Sequence, residues 1–455
     1  MRVAAASAIC GTRHVLPGEG LAGEYGRSRA GTPLLVARPA AVEEVQGLVR
    51  LAAGERVPVV AWGAGTRQDW GPPLTGMRPT LFIDLRRLTH PRAVNADNLT
   101  ATVGAGMSLA DLDALLAPAG LCWPVERLDG VTPTVGGTVA TAASGPSRRA
   151  IGPTARWVLG AEAVTADGEV VHAGGQTVKN VAGYDLTRLL VGSWGALGIL
   201  TAVTLRLAAR PAVTRSLLLT FAGPSAGAGA AIALADHPLG AAAVELLDAD
   251  SFTGLMPASP PSGHVEQEPG SEEATWALLV RAEGHEEQVA GLERAACRIA
   301  IEHDGVSRFL DEEAAALVWR ARADAWRPGE ASLVGGTWTI PPVGVAAALA
   351  ALPQVLPARG LVARSISGHA GDGVLHIALQ PRESNDSETH ARSAARCIAA
   401  LRSAGVALRG SWRTEIAPNY VWSRAGADPP AARQRLFDHL RIAADPEGFF
   451  ATMKR

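Results

Sequence analysis

The chain has 455 residues, 47% of them hydrophobic, enough to bury cores for two or three domains. Its 42 basic and 44 acidic residues nearly cancel and form no long run of one sign, which excludes a nucleic-acid footprint and favours a small or enclosed ligand. Cys10, Cys122, Cys297 and Cys397 lie far apart with no Cys-x-x-Cys, which excludes a disulfide framework, a zinc ribbon or a cluster-binding ferredoxin module and fits a reducing cytoplasm.

The amino-terminal MRVAAASAICGTRH is too short and too weakly apolar for a signal peptide, and no stretch offers the roughly 18 uninterrupted apolar residues of a spanning helix. From Pro33 to Leu85 the pattern reads strand, helix, strand, glycine turn, strand. PLLVARP is a strand, and AAVEEVQGLVRLAAG is an amphipathic helix through Val42, Val45, Leu48, Val49 and Leu51, stopped at Gly54. VPVVAW is a buried strand that runs straight into GAGTRQDWG, and LFIDL is another strand. LTATVGAG and SLADLDALLAPAG repeat the idea, with Ser108 as N-cap and Gly120 as stop. Thr134 to Gly152 then reads as a long loop of small residues, and AEAVT with EVVHA as a hairpin across Ala166, Asp167 and Gly168.

At Ala208 to Pro211 the character changes to a second α+β unit. Strands and helices alternate from TRSLLLTFAG onward, interrupted by a Pro-, Ser- and Glu-rich stretch near residues 254–273 that reads as a mobile loop. LVARSISGHAGDGVLHIAL reads as two strands around a turn, and AARQRLFDHLRIAADPEGFF as a terminal helix and turn. The expected domains are therefore 1–210, 211–425 and a tail of 426–455 that packs back on the first.

Three glycine-rich loops fall within the first domain. WGAGTR follows a buried strand, where backbone N–H groups can converge on a diphosphate, although a plain turn has the same composition. Gly136, Gly137 and Gly145 open a second loop to close approach, and Gly192, Gly195 and Gly198 form a third that leads into LGILTAVTLRL. In the second domain the turn at Asp372 and Gly373 brings His369 and His376 near each other. A structural pair of histidines reads the same way.

Taken together, GAGT, TVGG and KNVAGYDLTRLLVGSWGALGIL resemble the FAD-binding domain of the vanillyl-alcohol oxidase and p-cresol methylhydroxylase superfamily, and are similar above all to the flavin subunits of glycolate oxidase and to D-lactate dehydrogenases. The resemblance implies an α+β fold, a two-subdomain FAD-binding domain of the p-cresol methylhydroxylase type plus an α+β, ferredoxin-like cap. It implies noncovalent FAD, with Gly63, Ala64, Gly65 and Thr66 at the diphosphate and Gly136, Gly137 and Thr138 flanking the flavin. Gly145 and Gly152 would shape the loop beneath it, and Gly198 and Ile199 would offer backbone contacts. Lys179, Asn180, Tyr184 and Asp185 would fix the third loop and present Tyr184 toward the cleft, with a core anchor as the other role for Tyr184.

SGHAGDGVLHIAL is similar to the family's HxGDGNxH segment, whose histidines meet a divalent metal or the substrate hydroxyl. Val374 replaces the family Asn, and the downstream Glu-His pair has no counterpart beyond Glu415 in SWRTEIAP, so no metal is expected. VWRARADAW resembles a family Trp-x-x-Arg helix in which Arg322, with Arg320 as its rival, would hold a substrate carboxylate. The expected activity is oxidation of a 2-hydroxy acid of the glycolate or D-lactate type by hydride transfer to flavin N5, with His369 or His376 taking the hydroxyl proton. Electrons would leave through flavin and iron–sulfur partner subunits or a quinone, which places the protein in the cytoplasm or against the inner face of the membrane through those partners. The alternative is an accessory FAD-binding subunit of glycolate oxidase with no substrate site of its own.

Overall fold

The computed structural model describes residues 3–19, 21–25, 33–68, 70–71, 79–125, 132–177, 184–255, 276–324, 333–356, 360–382, 386–425 and 432–450. Two compact units divide the chain: unit 1 takes 1–144, 153–210 and 429–455, and unit 2 takes 145–152 and 211–428. No helix among the described residues is long and apolar enough to cross a membrane.

Unit 1 holds two main sheets. Strands β1 (Val15–Pro17), β2 (Pro33–Ala37), β3 (Val59–Trp62) and β4 (Thr80–Asp84) lie in the order β1-β2-β4-β3, with β2, β4 and β3 parallel. The amphipathic helix Val42–Gly54 crosses between β2 and β3 and buries Val45, Leu48, Val49 and Ala52 against Leu35, Leu81 and Ile83. The second sheet is antiparallel, from β5 (Pro91–Asn95), β6 (Thr100–Gly104), β8 (Val158–Val164), β9 (Val170–Gly174) and β10 (Ile199–Arg206), in the order β5-β6-β10-β8-β9. The short strands β7 (Leu121–Cys122) and β11 (Ala208–Ala209) pair with each other. Ser108 caps its helix by accepting from the Asp111 N–H, and Gly168 turns the β8–β9 hairpin at φ +79°. In the tail, Phe450 bridges Val59 of β3, and Asp445 accepts from the N–H groups of Phe449 and Phe450 at 2.7 Å each.

Unit 2 is one eight-stranded antiparallel sheet. Its first half runs β12 (Val213–Phe221), helix Pro224–Ala235, β13 (Ala243–Asp248), β14 (Trp276–Gly284), helix Glu286–Glu302 and β15 (Val306–Leu310). Its second half runs β16 (Val334–Thr339), helix Val345–Val355, β17 (Leu361–Gly368), β18 (Val374–Pro381), helix Ser387–Ala407 and β19 (Ser411–Ile416). The spatial order β15-β12-β14-β13-β17-β18-β16-β19 makes each half a β-α-β-β-α-β ferredoxin-like motif, and the two join through their second strands. That seam has only two paired positions, Leu246↔Gly368 and Leu247↔Ser367.

Alternation along the strands gives the sheet two unlike faces. Leu246, Leu278, Val280, Ile377 and Trp338 point into the large core under the four helices of the two motifs. The other face carries Leu218, Leu247 and Leu279, covered by Val318 of the helix Glu312–Asp324, and beside them a polar row.

Two sequence expectations need correction. The loop from Thr134 to Gly152 contains the short helices Val135–Thr141 and Arg148–Ile151, because the Thr134 hydroxyl caps the first by accepting from the Gly137 N–H. Tyr184 is no core anchor, being 95% exposed. Lys179, Asn180 and the stretch 256–275 lie outside the described residues.

Candidate functional site

In unit 1 the three glycine loops meet. β3 delivers Gly63, Ala64, Gly65 and Thr66 just past its end, all partly buried, with Gly65 at φ +72°. A Cβ on Gly63 would stand 2.5 Å from the Thr134 hydroxyl, so the first loop lies directly against the helix Val135–Thr141. Gly136 in turn presses on Ala105, whose Cβ would stand 2.6 Å from a side chain there. Thr138 is buried and donates to the Thr134 carbonyl at 2.9 Å. The third loop joins the same helix: the Gly192 N–H donates to Val139 O at 3.0 Å and the Trp194 N–H to Ala140 O at 2.8 Å. Gly198, at φ +154°, enters β10, and Ile199 behind it is fully buried.

The structure therefore brings together Gly63, Ala64, Gly65, Thr66, Gly136, Gly137 and Thr138, while Gly198 and Ile199, which follow the third loop, lie beside Val164 of β8. Gly145 and Gly152 instead bound the segment counted with unit 2. There Arg149 donates to Ala235 O, to Asp236 and, at 3.1 Å, to Asp372. The cradle suits a ligand with an anionic linker and a flat ring: close-packed backbone without Cβ atoms, plus the Ser193 hydroxyl, 2% exposed and unpartnered among the described residues.

In unit 2 the polar row crosses the seam. Glu245 of β13 is fully buried, with buried Val244 and Leu246 on either side in sequence. Arg322, 1% exposed, reaches it from the helix Glu312–Asp324, with Nε and Nη2 at 2.6 and 2.5 Å from the same oxygen, Oε2. The other oxygen, Oε1, contacts Nδ1 of His369. The imidazoles of His369 and His376 sit edge to face, 5.9 Å between ring centroids. His376 Nδ1 lies 3.1 Å from the Thr337 hydroxyl. On β19, Arg413 pairs with the buried Glu415 at 2.6 Å.

Electrostatics separates these groups. Burial pushes the Glu245 carboxyl up, but Arg322 and His369 overrule it and hold it near 2. Burial holds the His376 imidazole down at about 3, aided by the neighbouring His369. Glu415 is raised by burial yet ends below the usual carboxylate range because Arg413 and His376 stand beside it. Among the described residues, no three His, Cys, Asp or Glu side chains gather into a set that could ligate a metal ion.

Sequence reading paired His369 with His376 and reached Arg322, but it gave the guanidinium to a ligand carboxylate. Here its Nε donates to Glu245 Oε2 and its Nη2 stands as a charge contact on the same oxygen. Glu245 itself was missed. Its signal was a single acid inside AAAVELLDA, an apolar strand where an unpaired carboxylate would cost several kcal/mol.

The FAD binding domain family matches residues 33–174, and the C-terminal domain of FAD linked oxidases matches 210–415. D-2-hydroxyglutarate dehydrogenase from Xanthomonas citri pv. viticola is 31% identical over 432 residues, covering 91% of this chain and 87% of the relative. Glycolate oxidase subunit GlcE from Escherichia coli is 37% identical over 172 residues, 37% of this chain and 47% of the relative. The crystal structure of p-cresol methylhydroxylase with substrate bound superposes with a TM-score of 0.72 at 16% identity, covering 99% of this chain and 95% of that one.

Proposed function

The chain belongs to the FAD-linked oxidases, with FAD as cofactor and a p-cresol methylhydroxylase-type fold, and from that premise we propose that it oxidises a 2-hydroxy acid of the glycolate or D-lactate type. Bound FAD supplies the two-electron acceptor for the hydrogen on the substrate C2. In unit 1, Gly63 to Thr66 hold the diphosphate, Gly136, Gly137, Thr138, Gly198 and Ile199 back the ring system, and the attachment is noncovalent.

His369 takes the hydroxyl proton. A base must be able to carry charge, and His369 has a carboxylate against its far nitrogen while the surroundings of His376 resist its protonation. His376 stays neutral, fixed by Thr337, and shapes the site. Arg322 serves as the counter-charge of Glu245. The single observation that carries this reading is the imidazole pair on the polar face, His369 buried and His376 partly buried, backed by Glu245. That furnished face also supports an enzyme over an accessory subunit with no substrate site. The GlcE likeness supports electron exit through partner subunits.

The test is anaerobic mixing of the FAD-loaded protein with glycolate, D-lactate and D-2-hydroxyglutarate. Bleaching of the flavin absorbance by at least one of them is expected; no bleaching by any of the three removes the proposal.

A further inference from the structure

The Glu245–Arg322 pair is lopsided. A guanidinium fork meeting a carboxylate head-on bonds both oxygens, whereas here Nε at 2.6 Å and Nη2 at 2.5 Å both fall on Oε2. The second oxygen is thereby left to a single group, Nδ1 of His369. The backbone holds that histidine from the other side: its carbonyl accepts from the N–H groups of Asp372 at 2.8 Å and Val374 at 3.2 Å. Gly368 before it sits at φ +149°, where a Cβ would stand 2.3 Å from Val374 O.

We propose that Glu245 is a positioning residue: by accepting the Nδ1 proton of His369 it fixes one tautomer and turns the lone pair of Nε2 toward the reacting hydroxyl. This rests on His369 as the proton acceptor. In the step, the substrate O–H bond breaks and an Nε2–H bond forms, and bound FAD would supply the two-electron acceptor for the C2 hydrogen and its electron pair. The imidazolium that results faces the Glu245 carboxylate, which offsets its charge. The other charged groups of this site are already committed: Arg322 to Glu245, Glu415 to Arg413, and Asp372 to Arg149. Arg281, two residues along β14 from the Leu279 that pairs with Glu245, is committed to Glu283, and His376 is a further titratable neighbour. Glu245 is thus the group set to govern the tautomer.

The experiment uses FAD-loaded protein with 15N-labelled histidine, the His369 resonances assigned from His369→Asn. Because Glu245→Leu alone leaves Arg322 stranded, the double variant Glu245→Leu/Arg322→Met, which removes the acceptor as well as both charges, is measured beside it. Ring 15N shifts of the parent should report Nδ1–H for His369. In the double variant that preference should be lost, with kcat for the best of the three hydroxy acids reduced on the order of 10²-fold and KM within about threefold. Persistence of the Nδ1–H tautomer in the double variant, or an unchanged kcat once that tautomer is gone, overturns the proposal. The functional reading fails separately, and visibly so, if His369→Asn oxidises substrate at the parent rate; the tautomer measurement does not depend on turnover.

Discussion

Arg322 and Glu245 form an ion pair with 1% and 0% of their side chains exposed, so neither charge has water to fall back on. Arg322→Met strands a carboxylate in a dry site and should cost about 3–5 kcal/mol of stability. Glu245→Gln/Arg322→Met removes both charges and should regain most of that loss. Urea denaturation of the single and double variants decides it: equal losses in both would mean that the pair is not the source.

Acid should weaken the fold in two stages. His376 is held at about 3 against an ordinary 6.5, so as pH drops below 6.5 the unfolded chain takes up that proton first and the native state loses ground. Glu245, held near 2 against an ordinary 4.5, contributes stability above 4.5 that disappears as pH falls toward 2. Both act in one direction, the histidine earlier. Melting temperatures of parent and His376→Gln between pH 7 and pH 5 should show a shallower fall in the variant; identical slopes would clear His376 of the effect.

Gly136 has no room for a methyl group, since its Cβ would meet Ala105 Cβ at 2.6 Å and Ala105 O at 2.8 Å. Gly136→Ala should destabilise by about 1–3 kcal/mol and lower the flavin-to-protein absorbance ratio. Gly54, at the end of its helix with nothing within 4 Å, is the control: Gly54→Ala should be neutral or stabilising by up to about 1 kcal/mol. Full flavin content in Gly136→Ala would detach that helix from the cofactor.

Asp445 is 2% exposed and holds the last described residues by its bonds to the Phe449 and Phe450 N–H groups. Asp445→Ala should cost about 1–3 kcal/mol for the two unpaired donors. It should also release Phe450 from Val59, and because β3 continues into Gly63, FAD should dissociate faster. Flavin retained after gel filtration is the measure; parent-like retention would separate the tail from the cradle.

Much of this was legible in the chain. Periodicity marked the helix Val42–Gly54, turn chemistry marked the hairpin at Gly168, and glycine spacing marked three loops that do converge. What escaped were partnerships across strands far apart in sequence. Nothing local to Arg322 says that Glu245, 77 positions away, sits opposite it. Thr337 lies beside His376 only through the pairing of β16 with β18, a register no local pattern encodes. The helix at Val135 was hidden because three small residues and two glycines carry no amphipathic stripe.

The two-position seam between β13 and β17 has a bearing on how unit 2 assembles. Every other ladder of the sheet closes within one half, over 213–310 or 334–416, so each half can condense from its own contacts. Glu245 arrives with the first half and both histidines with the second. The contact of Glu245 with His369 is made at the closing step, so the proposed proton transfer would require that the two halves have docked.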